Sequence, residues 1–311
     1  MTPLRGRFLI DFLTYSLHMQ RNPRTGDQIG RLDISPRLRR RIALRVGVPV
    51  AIATAVGALF FALSPRPVAV TATPGDGSGG TVAAAADSTF SLASFVDARD
   101  LMKDADRTFV VQVIGDSTGN EPGEWVDVAF RALSEELDRP LVQHPWDVLS
   151  SAYLEPIRSN DNAPHAPLEV WNGSASGKTA EYSLANFDTL IPVEPDLVIL
   201  NHGLNNVLEP AQVGEQFTAL VAEIERHWPS QIGYAALLEN PRLDQYSAAH
   251  DDVIDHVTGW LAEHQEVRAV DVHSAYLDSP DVTTLLLPDL LHPTPAGSAL
   301  TASTVLDALQ R

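Results

Sequence analysis

Five short apolar runs set the architecture: Thr108–Ile114 (TFVVQVI), Leu168–Trp171 (LEVW), Asp196–Leu200 (DLVIL), Gln231–Leu238 (QIGYAALL) and Val267–Val272 (VRAVDV). Most of their positions are apolar in succession, the pattern of strands buried on both faces in a parallel sheet. Between them Phe217, Leu220, Val221, Ile224 and Trp228 recur at helical spacing, as do Val253, Val257, Trp260 and Leu261. Strand followed by helix, repeated, predicts an α/β fold around a central parallel sheet.

A second feature divides the chain. Val46–Leu63 is an uncharged apolar run preceded by Arg37, Arg39, Arg40, Arg41 and Arg45. At about 1.5 Å per helical residue it is roughly 27 Å long, enough to cross a bilayer core. The arginines on its N-terminal flank keep that side cytoplasmic and send the rest outward. The organisation expected is a cytoplasmic basic tail (1–45), a transmembrane signal-anchor helix (46–63), a Pro/Gly/Ala-rich linker (64–91) and one catalytic domain (92–311), single-pass and extracytoplasmic. A cleaved export signal, with Ala72 as a cleavage point, is the alternative, and it leads to a secreted body.

Charge follows the same division. Residues 1–65 carry ten arginines against three aspartates, and the remainder carries twelve basic against thirty-seven acidic residues, so a +7 segment precedes a −25 body. Such a body repels phosphate backbones, which argues against nucleic-acid partners. The chain has no cysteine, so a thiolate nucleophile, a thiolate metal site and a disulfide framework are all excluded. The spacings of His144, His165, His250, His256, His264 and His273 give no metal site.

In an open parallel sheet the working residues sit on loops at the C-terminal ends of the strands. The first strand runs into Gly115-Asp116-Ser117, a turn that presents a serine above the sheet ahead of a helix beginning near Glu124. The last loop, Asp289-Leu290-Leu291-His292-Pro293, offers a base and a carboxylate to orient it. The strands LEVW and DLVIL run into Asn172–Thr179 and into His202-Gly203-Leu204-Asn205-Asn206, both placed to donate hydrogen bonds above the sheet. Ser176-Gly177-Lys178-Thr179 looks like the end of a phosphate-binding loop. That motif needs a glycine at 172, where Asn172 stands, so no nucleotide is expected.

In this order, each block following a strand, residues 105–311 resemble the SGNH or GDSL hydrolase family. The resemblance implies a flavodoxin-like three-layer α/β/α sandwich, carboxylic ester hydrolysis through an acyl-enzyme, and no cofactor. Carried over residue by residue, it implies Ser117 as nucleophile, His292 as base and Asp289 as its orienting acid. The Ser117 N–H, the Gly177 N–H and the Asn205 side-chain amide become the oxyanion donors. Lys178 and His202 lie next to these blocks and are expected near the substrate, with Lys178 favouring an anionic group and a scaffold role the stronger alternative for His202. Two positions depart from the family pattern: Asn206 and Lys178 both stand where aspartate is usual. Acyl transfer to a glycan hydroxyl and a catalytically silent binding module are the rival functions. The acyl group and alcohol are left to loops such as Gln143–Pro167 and Asn240–His250.

Overall fold

The protein is described by a computed structural model over residues 93–310. The apolar run 46–63, the linker and the basic tail lie outside the described residues. Among the described residues no helix is long and apolar enough to cross a membrane.

Strand β1 (Phe109–Gly115) is buried along nearly its whole length. It pairs in parallel with β5 (Leu168–Asn172) on one side and β6 (Leu197–Asn201) on the other. β7 (Gly233–Leu238) and β8 (Arg268–Asp271) extend the sheet beyond β6 in the same direction. The order β5-β1-β6-β7-β8 is that of a flavodoxin-like doubly wound sheet, and the winding reverses between β1 and β6.

Helices cover both faces. On one side α1 (Ala93–Met102), α2 (Trp125–Glu136), α7 (Val272–Leu277) and α8 (Pro295–Gln310) bury Phe95, Phe130, Tyr276 and Val305 against alternate strand residues such as Val111 and Ile199. On the other, α3 (Ala180–Ala185), α4 (Phe187–Leu190), α5 (Gln212–His227) and α6 (Ser247–Glu263) bury Phe187, Phe217 and Trp260 against Ile114, Val198 and Leu200. Successive side chains of a strand point to opposite faces, so these unbroken apolar runs feed two cores at once.

The stretch expected to be a substrate loop, 143–167, is instead partly sheet. β2 (Leu141–Asp147) pairs in parallel with β5, and β3 (Ala152–Tyr153) and β4 (Ile157–Ser159) fold back antiparallel on β2. His144 and Pro145 break the apolar pattern that marks the other strands. Pro145 has no N–H to donate, but its carbonyl accepts from Leu154 N at 2.9 Å, so the strand survives beside the sheet edge.

At the N-terminal ends of the strands, far along the sheet from the loops that follow them, Arg139 is buried and holds backbone carbonyls together. It donates to Ala166 O (2.7 Å), Met102 O (2.8 Å) and Arg107 O. Hydrogen bonds to a charged group contribute about 1.5–3 kcal/mol each, and buried carbonyls left bare cost more. Arg139→Met is therefore expected to lower stability by about 3 kcal/mol, read as a shift of the urea midpoint. Turnover should stay within about twofold, because distant sites act independently; a large loss of kcat in the folded variant would contradict this separation.

Candidate active site

The turn after β1 is fixed from three directions. Asp116, fully buried, accepts through Oδ1 from the Thr118 N–H and hydroxyl, both at 3.1 Å. Asn201 Nδ2, from the end of β6, donates to Thr118 Oγ1 at 2.9 Å. Asn172 Nδ2, from the end of β5, donates to Gly119 O at 2.7 Å. Helix α2 begins only at Trp125, so these side chains hold the turn directly. Ser117 stands half-buried in the middle of it.

The loop ahead of α8 closes on itself. Leu286 and Pro293 form a bridge, and Leu287 N donates to His292 O at 2.7 Å. Asp289 Oδ1 accepts from the N–H groups of Leu291 and His292, both at 3.1 Å, and Oδ2 lies 2.8 Å from His292 Nδ1. Leu290, between them, takes φ 60°, a left-handed conformation costly for a residue with a β-carbon. Its carbonyl accepts from Leu243 N at 2.8 Å, which holds it there. Burial raises the Asp289 carboxyl, but hydrogen bonds from His292 and the two backbone N–H groups outweigh that and leave it below the usual carboxylate range. An ionised Asp289 requires the proton of a neutral His292 to sit on Nδ1, which leaves the Nε2 lone pair free. That nitrogen is 2.9 Å from Ser117 Oγ.

Serine, histidine and aspartate are thus in register for proton transfer from the hydroxyl. Gly177, exposed at φ 71°, adopts a conformation that glycine takes without strain. Among the described residues no acceptor engages the N–H of Ser117 or of Gly177, so both can donate to a ligand. Asn205 Nδ2 donates to Lys178 O at 3.0 Å and lies a long 3.4 Å from Asp116 Oδ2. Its amide therefore sits between the Gly177–Lys178 loop and the nucleophile turn. The Lys178 ammonium stands over the Tyr182 ring, 5.3 Å from its centroid.

His202 corrects the sequence expectation of substrate contact. It is completely buried, Nε2 lies 3.2 Å from Ser183 Oγ, and burial pushes its pKa down to about 3. It is a neutral packing residue beneath the loop. The departure at Asn206 is accommodated: its amide donates to Gln216 Oε1 at 3.0 Å and its N–H to Gly203 O at 2.8 Å, so an uncharged side chain orders the loop. Sequence reasoning gave no role to the side chains of Asp116, Glu124, Glu239 and Arg242. The signal was present, since Glu239-Asn240-Pro241-Arg242 puts polar residues at the C-terminal end of an apolar strand. The Asn240–His250 segment is only partly loop. Asn240 and Arg242 are buried, and Ser247–His250 begins α6.

With this geometry in place the chain can be set beside known proteins. The GDSL-like lipase/acylhydrolase family matches residues 113–300. Among solved structures it is similar to the psychrotrophic esterase EstA from Pseudoalteromonas sp. (15% identity, 65% of this chain and 96% of that one, TM-score 0.46). It is similar also to a lipase/acylhydrolase from Enterococcus faecalis (16% identity, 65% and 95%, TM-score 0.49). A third is an acetylxylan esterase from Geobacillus stearothermophilus (17% identity, 67% and 96%, TM-score 0.46). No curated protein matches the sequence.

Glu124 Oε2 accepts from Glu121 N at 2.8 Å, and burial raises its pKa to about 7. A carboxyl raised in the folded state stabilises the fold most below its unfolded pKa and loses that contribution as pH rises through the folded value. Glu124→Gln keeps the acceptor oxygen without the charge. Its Tm is expected to pull progressively above that of wild type as pH rises from 4.5 through 7. Buried neutral His202 and His250 titrate in the opposite sense, so the gap between the two proteins is the quantity to follow by calorimetry. A gap that does not vary with pH would contradict the burial of the Glu124 charge.

Proposed function

The chain belongs to the GDSL-like lipase/acylhydrolase family and is a carboxylic ester hydrolase, and we propose that it works through an acyl-enzyme on Ser117. His292 Nε2 takes the hydroxyl proton as Ser117 Oγ attacks the ester carbonyl. Asp289 holds the imidazole in the tautomer this needs and stabilises the imidazolium that forms. The tetrahedral oxyanion is received by the N–H groups of Ser117 and Gly177 and by the Asn205 amide. His292 returns its proton to the leaving alcohol, and water, deprotonated by the same nitrogen, then releases the acid. The observation that carries this reading is the continuous contact from Ser117 Oγ through His292 to Asp289, at 2.9 and 2.8 Å.

The substrates proposed are lipid or envelope-glycan esters met outside the membrane. Leu208, Leu287 and Leu290 are exposed on the loops around the site, which suits an acyl group or an apolar alcohol. The run Val46–Leu63 with its arginine flank supports a membrane-anchored body on the outer side. No cofactor is invoked by these steps.

Ser117→Ala is expected to abolish turnover of p-nitrophenyl esters and labelling by a fluorophosphonate. Asn205→Ala, at about 3 kcal/mol for one oxyanion donor, should slow kcat on the order of a hundredfold with the fold intact. Unchanged turnover in either protein would sink its assignment. A panel of acyl chain lengths and acetylated sugars, run with and without a carbohydrate acceptor, separates lipid from glycan esters and hydrolysis from transfer. A reporter active only outside the membrane, fused after Leu63, is expected to be active; an inactive fusion would refute the topology.

A further inference from the structure

Behind the loops that carry Ser117 and Asn205 lies a pair of acids that the steps above do not use. Asp116 and Glu239 are both buried, and their side chains are in hydrogen-bonding contact. An ionised carboxylate only accepts hydrogen bonds, so two carboxyls meet in this way when one proton lies between them. The other oxygens are accounted for. Glu239 Oε2 accepts the Leu204 N–H at 2.5 Å, Asp116 Oδ1 is taken by Thr118, and Asp116 Oδ2 faces the Asn205 amide at 3.4 Å. Glu239 Oε1 is buried with no hydrogen-bond partner among the described residues, so an ionised Glu239 would leave a buried acceptor bare.

The Leu204 peptide is held on both sides from the same loop. Its N–H goes to Glu239, and its carbonyl accepts from Arg242 Nη1 at 2.6 Å. Arg242 is itself fixed by a two-pronged contact with Asp244, at 3.1 and 2.6 Å. Glycine at 203 leaves room for the approach, because a β-carbon there would stand 2.9 Å from Glu239 Oε2. The loop also reaches the base: Asn240 Nδ2 donates to Leu291 O at 3.1 Å.

We propose that Glu239 is a positioning residue for the hydrolysis: its carboxyl, bonded to the Leu204 backbone and sharing one proton with Asp116, locks the loop bearing Asn205 to the turn bearing Ser117. This rests on the roles given above to Ser117 and Asn205. Donors fixed before the reaction need no reorganisation as charge develops, which is where their catalytic value lies. Burial raises both carboxyls, Asp116 to about 6 and Glu239 well above its ordinary value, which favours a proton held on the pair. The charged and titratable groups around it are Arg242 and Asp244 on the same loop, and His292 facing Asp116 from the loop before α8. His273 of α7, whose ring meets the Glu239 carbonyl, and His250 of α6 beside it complete the set. Loss of the last proton would set two like charges in buried contact and open it.

The test uses the whole chain and p-nitrophenyl acetate. Glu239→Leu is expected to lower kcat by about tenfold or more with KM changed by less than about threefold, since transition-state donors are displaced and substrate binding is not. Placed in Asn205→Ala, the same change should cost less than about twofold, because residues acting through one group are not additive. Glu239→Gln, whose amide can accept from Leu204 and donate to Asp116, is expected to recover most of the turnover and to lack the alkaline decline in kcat expected of wild type. A folded Glu239→Leu protein with wild-type kcat, or one whose loss recurs in full without Asn205, overturns the proposal. If Glu239→Leu does not fold, Glu239→Gln decides, and alkaline limbs that superimpose on wild type overturn it. Unchanged turnover in Asn205→Ala overturns the underlying reading and the proposal with it; loss in Asn205→Ala with none in Glu239→Leu overturns the proposal alone.

Discussion

The site depends on the register of β1 against its two neighbours. Gly115 is paired with Asn201 of β6 and Val113 with Asn172 of β5, so an asparagine ends the strand on either side just where β1 ends. Parallel strands lie about 4.8 Å apart, within reach of one side chain. Each asparagine uses that reach to bond the nucleophile turn, Asn201 to Thr118 and Asn172 to Gly119. A slip of one residue would turn both asparagines to the opposite faces of the sheet and leave the turn unsupported. Backbone pairing within the sheet therefore fixes the position of a hydroxyl above it, and the two loops that follow β5 and β6 start from fixed points beside it.

Much of this fold was legible because parallel strands buried on both faces write themselves as runs of Val, Ile and Leu. TFVVQVI, LEVW, DLVIL, QIGYAALL and VRAVDV each coincide with a strand; the stripe at 253–261 falls within α6, and that at 217–228 within α5 except for Trp228, which follows its last residue in extended conformation. β2 was not legible. Leu141 and Val142 are apolar, but Gln143, His144 and Pro145 follow, and those residues read as a loop when no neighbour is in view. What makes them a strand is long-range pairing with β5 on one side and β4 on the other, and local sequence does not carry that information.

The site shows the same division. Ser117 could be nominated because it stands in a short block at a strand end, and Asp289 and His292 because they share one short block before the last helix; the structure brings their side chains together. For His202, beside such a block too, the sequence left substrate contact and a scaffold role both open, because only the direction of the side chain decides between ligand and core, and here it faces Ser183. Glu239 and Arg242 stand at a strand end too, but the sequence does not show which way they turn. A charged residue after an apolar strand ordinarily marks the return to solvent, and only the close approach at Gly203 shows that these side chains turn inward onto the Leu204 peptide.

The bridge between Leu286 and Pro293 makes the acid and the base one mechanical piece: three residues apart on a closed loop, Asp289 and His292 keep their mutual geometry wherever the loop goes. The site then has a single adjustable joint, the gap between that piece and the serine. The loop is mounted on α8, the serine turn leads into α2, and these two helices lie against each other, joined at their far ends by Gln310 to Glu136 at 2.7 Å. The gap therefore depends on how these two neighbouring helices pack on the sheet, so their buried side chains, far below the opening, bear on it. Changes of volume at Phe130 or Val305 would be felt as a lengthened or shortened proton path, with every residue that touches the substrate left in place.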